Sequence, residues 1–173
     1  MRALAEELGV SRGAPYRHYP ERDQLLADIV SLGFKRLDEF AARESDQPAA
    51  PRERLAGAAR QFLHFVEEHP QLFRLMYDSG LLQRAEAFPK LAQAQNSVYA
   101  RIVALYAAAA GHSALDDGRL QANVIAFWAT IFGYAKIRQA ALLQPYMMGQ
   151  LSDREIEEQV IQTAIGANLA TSQ

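Results

Sequence analysis

The sequence predicts an all-α fold, and three observations predict it. Ala, Leu, Gln and Arg recur through the 173 residues, runs of β-branched residues are almost absent, and apolar positions return at spacings of three and four rather than two. Half the residues are hydrophobic and 22% are charged. At this length one core can be buried, and the balance is that of a globular chain.

The elements follow in order. Arg2 to Leu8 carries Leu4 and Leu8 on one face and stops at Gly9, a residue suited to the left-handed turn that ends a helix. Ser11 is the N-cap of a short helix from Arg12 to Tyr19, and Pro20 breaks it. A longer helix runs from Glu21 to about Arg43, with Leu25, Ile29, Leu32, Leu37 and Phe40 as its expected buried stripe. Gln47-Pro48-Ala49-Ala50-Pro51 is the one convincing linker, so the chain divides into residues 1–43 and 51–173. Pro51 suits a first-turn position and starts a helix to His69, and Pro70 starts a short one to Tyr77, closed by Asp78-Ser79-Gly80. Phe88 to Ala110 ends at Gly111. Asp116 or Asp117 caps a helix from Leu120 to Gln144, and Pro145 to Gln150 connects it onward. Ser152 and Glu155 have the spacing of a capping box, and the last helix continues to about Thr171.

Composition excludes several classes of chemistry. No cysteine is present, so disulfides, thiol nucleophiles and iron–sulfur clusters are out. His64, His69 and His112 stand at no metal-ligand spacing. With no glycine-rich phosphate loop, serine elbow or acid pair in an apolar setting, the chain is read as neither an enzyme nor a cofactor or metal carrier. A formal charge of −2 argues against indiscriminate coating of nucleic acid. No apolar run approaches the roughly 20 residues that span a bilayer, and Glu6 and Glu7 stand where a signal peptide is apolar, so a cytoplasmic protein without membrane contact is expected.

Leu4-Ala5-Glu6-Glu7-Leu8-Gly9-Val10-Ser11-Arg12-Gly13-Ala14-Pro15-Tyr16-Arg17-His18-Tyr19 is a helix, a tight turn and a second short helix. Ala5 is small enough for the two to cross closely, and Val10 plugs the angle between them. Ser11, Arg12, Gly13, Tyr16, Arg17 and His18 form the exposed set of the second helix. In a major groove its first residues face base edges, Gly13 lets the backbone approach, and Tyr16 and His18 reach phosphates.

These residues resemble the DNA-binding motif of the tetracycline-repressor (TetR) family of bacterial transcriptional regulators. The likeness runs from Arg2 through Ala27: Ala3 to Ser11, then Gly13, Tyr16, His18, Tyr19, Arg22, Leu25 and Leu26. Trp128-Ala129-Thr130-Ile131-Phe132-Gly133 resembles the tryptophan-histidine-glycine signature of one C-terminal subgroup, with Phe132 in place of the histidine. The resemblance implies a truncated helix-turn-helix DNA-binding domain followed by a helical ligand-binding and dimerisation domain. Met1 falls already inside the second helix of the family pattern, so the first is expected to be absent.

The expected function is a transcriptional repressor. It would bind a palindromic double-stranded DNA operator as a homodimer and be released by a small, mainly apolar effector. Phe62, Phe65, Met76, Tyr77, Tyr99, Trp128 and Phe132 recur on the middle helices and are the expected effector-binding residues. Arg74, Arg101 and Arg138 are the cations that an anionic effector would need. The last two helices are expected to build the dimer, because Ile156, Val160, Ile161, Ala164, Ile165 and Leu169 read as covering more than one face. The alternative is a helical dimerisation or interaction protein with no independent DNA binding.

Overall fold

The computed structural model describes Tyr19, residues 21–111 and residues 118–169, with side chains in the final helix to residue 166. Every regular element among them is helical: α1 (Arg22–Ser45), α2 (Pro51–Glu68), α3 (Pro70–Asp78), a 3-10 turn (Leu82–Ala87), α4 (Pro89–Ala110), α5 (Gly118–Gln139), α6 (Pro145–Met148) and α7 (Asp153–Leu169). No described helix is long and apolar enough to cross a membrane.

Proline sets four of the starts. Pro51, Pro70, Pro89 and Pro145 each occupy the first turn, where a missing N–H costs nothing and the ring presets φ. A proline also bars the residue before it from helical geometry, so His69 at φ −128°, ψ 52° separates α2 from α3. Gly111 closes α4 at φ 70°, its N–H reaching the carbonyls of Ala107 and Ala108. The capping box at α7 forms: the Ser152 N–H donates to Glu155 Oε2 at 2.8 Å, and the Glu155 N–H donates back to Ser152 Oγ at 3.3 Å. The Ser152 N–H, and the Ser152 hydroxyl donating to the same Oε2 at 2.7 Å, hold the Glu155 carboxyl below its ordinary pKa.

Helix α2 is the hub, packing against α1, α3, α4, α5 and α7, while α1 lies along α4 and α7 lies along α5. Leu55, Leu63, Phe65, Phe73, Met76, Tyr106, Leu120, Ile131 and Ile161 are fully enclosed between them. Helix α1, assigned from sequence to the N-terminal region, thus shares this core through Ala27, Val30, Phe34, Leu37 and Ala41.

Three expectations need correction. The buried stripe of α1 does not include Leu32, which is 64% exposed, because a helix with apolar residues at 25, 29 and 32 as well as 30, 34, 37 and 41 carries two apolar faces, and the second series meets the core. Helix α5 stops at Gln139 rather than Gln144. Ala141 takes φ 53°, the Leu142 N–H bonds the Ile137 carbonyl and the Ala141 N–H bonds that of Arg138, a Schellman stop at a residue with no glycine to announce it. Finally, among the described side chains α7 presents one apolar face rather than two, Leu169 lying outside them. Ile161, Ala164 and Ile165 are buried, Ile156 and Val160 pack partly against the same core, and Gln159, Gln162 and Thr163 face outward.

Candidate functional site

Four long helices and α3 enclose a cavity of about 370 Å³. Helix α1 contributes Phe34, Leu37, Phe40 and Ala41; α2 contributes Ala58, Ala59 and Phe62; α3 contributes Tyr77; α4 contributes Gln95, Asn96, Val98, Tyr99 and Ile102; and α5 contributes Val124, Phe127, Trp128 and Ile131. On each long helix the spacing of three and four keeps these side chains on one face. Ala41, Ala58 and Ala59 stand where larger side chains would fill the space, so the packing stops at their Cβ atoms.

Its inner wall is aromatic. Phe62 meets Trp128 edge to face at 5.0 Å between centroids, and Tyr77 lies within 4.9 to 6.1 Å of Phe34, Phe73, Trp128 and Phe132. Burial pushes the Tyr77 phenol above its ordinary pKa, so it remains a neutral donor. Its hydroxyl makes no hydrogen bond to a described residue, and the surface it retains borders the cavity. On α4 the polar side chains sit towards the mouth, where Asn96 and Tyr99 are exposed and the Tyr99 hydroxyl donates to Gln121 Oε1 at 2.6 Å.

No charged side chain lines this space. The nearby Arg101 is held by Asp38, with Nε donating to Oδ1 at 2.6 Å, and Ser97 Oγ donates to the same carboxylate at 2.9 Å. The Arg101 hydrogen bond is the main cause that keeps the Asp38 carboxyl below its ordinary pKa, and the same bond raises that of Arg101.

The residues expected at an effector site separate into two groups. Phe62, Tyr77, Tyr99 and Trp128 border the cavity. Phe65 and Met76 do not; both are fully enclosed in the core, and Phe132 packs behind Tyr77 and Trp128. Phe34, Phe40 and Phe127 border it without having been singled out. The α1 pair was hidden by its assignment to the N-terminal region, although Phe34, Leu37 and Ala41 already show the 3–4 spacing of a face shared with α2. Among the cations, Arg101 is closed onto Asp38 and Arg138 onto Glu67 and Glu157. Arg74 is exposed beside a second space of about 290 Å³ between α2, α3 and α5.

Ser11, Arg12, Gly13, Tyr16, Arg17 and His18 lie outside the described residues, as does His112. Immediately after them, the Tyr19 hydroxyl donates to Asp28 Oδ2 of α1 at 3.2 Å. Among the described residues no three His, Asp or Glu side chains are grouped as a metal site. His64 faces Glu68 at 3.3 Å, and His69 packs its ring on Phe65.

The described residues thus form an all-helical fold around an apolar cavity walled by α1, α2, α3, α4 and α5. Residues 55–160 match the family described as "Tetracyclin repressor-like, C-terminal domain", and the chain belongs to the tetracycline-repressor (TetR) family. Among solved structures it is similar to the TetR family transcriptional regulator PfmR from Thermus thermophilus, with a TM-score of 0.68 over 94% of this chain and 85% of that one at 17% identity, a likeness of fold. It is 28% identical over 99 residues to the nucleoid occlusion factor SlmA of Vibrio vulnificus, covering 57% of this chain and 49% of that protein. The HTH-type transcriptional repressor KstR of Mycobacterium tuberculosis is 27% identical over 107 residues, covering 60% of this chain and 49% of KstR. The chain thus spans about half the length of the curated relatives it matches.

Proposed function

We propose that this regulator is a repressor that binds a palindromic DNA operator as a homodimer and releases it when a small, mainly apolar molecule fills the cavity. The observation that carries the reading is that one helix serves both ends. Helix α1 walls the cavity with Phe34, Leu37, Phe40 and Ala41, and follows directly on the helix-turn-helix sequence. It also crosses α3 closely: a Cβ on Gly33 would fall 2.6 Å from Met76 Sδ, and Phe34 contacts Tyr77. An occupant that displaces Tyr77 or Phe34 therefore moves α1, and with it the spacing of paired recognition helices. Linkage requires the operator to weaken binding of that occupant by the same factor, typically ~1–3 kcal/mol. The sense of repression is drawn from KstR, a repressor by name.

The dimer reading rests on α5 more than on α7. Ala122, Ile125, Ala126, Ala129, Thr130 and Ile137 are exposed at helical spacing with no charge among them, and Ile125 is 59% exposed. A Cβ at Gly133 on the same helix would meet nothing within 4 Å. Small residues of this kind let two copies of one helix approach across a two-fold axis.

Selection from random duplexes tests the reading and is expected to enrich a two-fold symmetric site whose affinity falls steeply with salt. Tyr16→Ala and His18→Ala should weaken binding about equally on selected and scrambled DNA, while Arg12→Ala also changes preference. Ile125→Glu and Ala126→Glu should sediment as monomers. No enriched sequence, unchanged affinity in all three DNA variants, or a monomeric parent would each overturn the corresponding part.

A further inference from the structure

The cavity states more about its occupant than that it is apolar. Resting on the effector reading above, we infer that the ligand is a neutral, planar aromatic compound of two or three rings whose single hydrogen-bonding group is received by the Tyr77 hydroxyl.

Four observations carry this. First, about 370 Å³ lies at the lower end of the ~300–1,000 Å³ of small-molecule sites, which suits a body of a few rings. Second, seven of the seventeen lining residues are aromatic, and the inner ones present edges as well as faces, as the 65° angle between Phe62 and Trp128 shows. A flat π system gains edge-to-face and offset contacts from such walls that an alkyl chain cannot make.

Third, no charged side chain borders the space, and Arg101 on α4 is already closed onto Asp38 of α1, with Ser97 as a further donor to the carboxylate. An anionic or cationic ligand would lose its hydration with no countercharge in return. Fourth, Tyr77 borders the cavity from within a ring of Phe34, Phe73, Trp128 and Phe132, none of which can accept a conventional hydrogen bond from its hydroxyl. Tyr77 is half-buried and its hydroxyl has no hydrogen-bond partner among the described residues, so an occupant that supplies an acceptor at the cavity wall gains a bond that the aromatic ring around Tyr77 cannot give. Among the described residues, Tyr106 and Tyr134 are the phenols with buried hydroxyls that lack a partner, but neither borders the cavity.

The chain provides its own reporter, since Trp128 is its single tryptophan and lies in the wall. Titration with naphthalene, 2-naphthol, 2-naphthoate and decan-1-ol, followed by Trp128 emission and by calorimetry, tests the inference. The expected result is saturable binding of 2-naphthol, with 2-naphthoate and decan-1-ol at least tenfold weaker. Tyr77→Phe keeps the ring and the fold, checked by an unchanged melting temperature. It should weaken 2-naphthol about threefold to tenfold, the loss of one hydrogen bond, and leave naphthalene unaffected. Equal or tighter binding of the carboxylate or the alkanol would overturn the ligand class and leave the effector reading intact, and an unchanged 2-naphthol affinity in Tyr77→Phe would overturn the anchor. Failure of all four probes, together with no thermal shift from a broader apolar panel, would overturn the effector reading and this inference with it.

Discussion

The space between α1, α2, α4 and α5 encloses about 370 Å³ without one charged side chain on its wall, whereas the space between α2, α3 and α5 encloses about 290 Å³ and is lined by Glu67, Arg74 and Arg138. Volume barely separates them. The difference lies in what is already satisfied. At the second space Arg138 bonds Glu67 of α2 and Glu157 of α7, and the Gln139 side-chain amide donates to the Pro70 carbonyl at 3.0 Å, so its polar groups tie four helices together. At the first, Tyr77 has no partner among the described residues and the alanines leave room. Helix α5 walls both, which makes the contrast one between two ends of a single helix: a receptive end near Val124 to Ile131 and a strut near Ala135 to Gln139.

The largest effect is expected from filling the receptive end. Ala58→Leu and Ala59→Leu place branched side chains where the cavity begins, and binding of 2-naphthol, followed through Trp128 emission, should fall roughly tenfold or more. Ala135→Val beside the second space should leave that binding as it is. An equal loss in all three variants would erase the distinction.

A smaller effect is expected from cutting the strut. Arg138→Met leaves Glu67 and the partly buried Glu157 without their cation, and the denaturant midpoint should fall by an amount equivalent to about 1–3 kcal/mol, less than for a fully buried pair because the site is partly wet. Arg74→Met, on the exposed rim of the same space, should stay within about 0.5 kcal/mol.

The smallest effects, of opposite sign, are expected from acid. The Asp38 carboxyl is held below its ordinary value of 3.8, chiefly by Arg101, so its stabilising contribution is present above that value and is lost as pH falls through the lower folded one. Glu157 is raised above 4.5, chiefly by burial and against the pull of Arg138. Its contribution is fully present below 4.5 and is lost as pH rises through the higher folded value. Unfolding midpoints between pH 3 and pH 8 should therefore show Asp38→Asn losing on the parent as pH rises, and Glu157→Gln gaining on it. Parallel curves for the two variants would mean that both carboxylates share one environment.

Most of the helix boundaries were legible because proline and glycine act locally. Pro51, Pro70 and Pro89 restrict their own φ and the conformation of the residue before, whatever packs around them, and the Ser152–Glu155 box closes within one turn. The end of α5 was not legible, since Ala141 adopts a left-handed conformation that its own chemistry disfavours. The site was half legible. Phe62, Tyr77, Tyr99 and Trp128 stood out by composition, but nothing in composition distinguishes Tyr77, which borders space, from Met76, which is packed on every side.

The order of helices, the family motif and the absence of cysteine chemistry belong to the sequence alone, because each depends on residues near one another in the chain. Tertiary structure decided which of two apolar stripes on α1 is buried, that α7 keeps its apolar residues for its own domain while α5 leaves an uncharged face outside, and that Arg101 is closed onto Asp38. It also decided that the alanines of α2 face aromatics across a gap. A cavity is a sum over five helices of side chains that stop short of one another, and no local spacing records where such a sum falls below close packing.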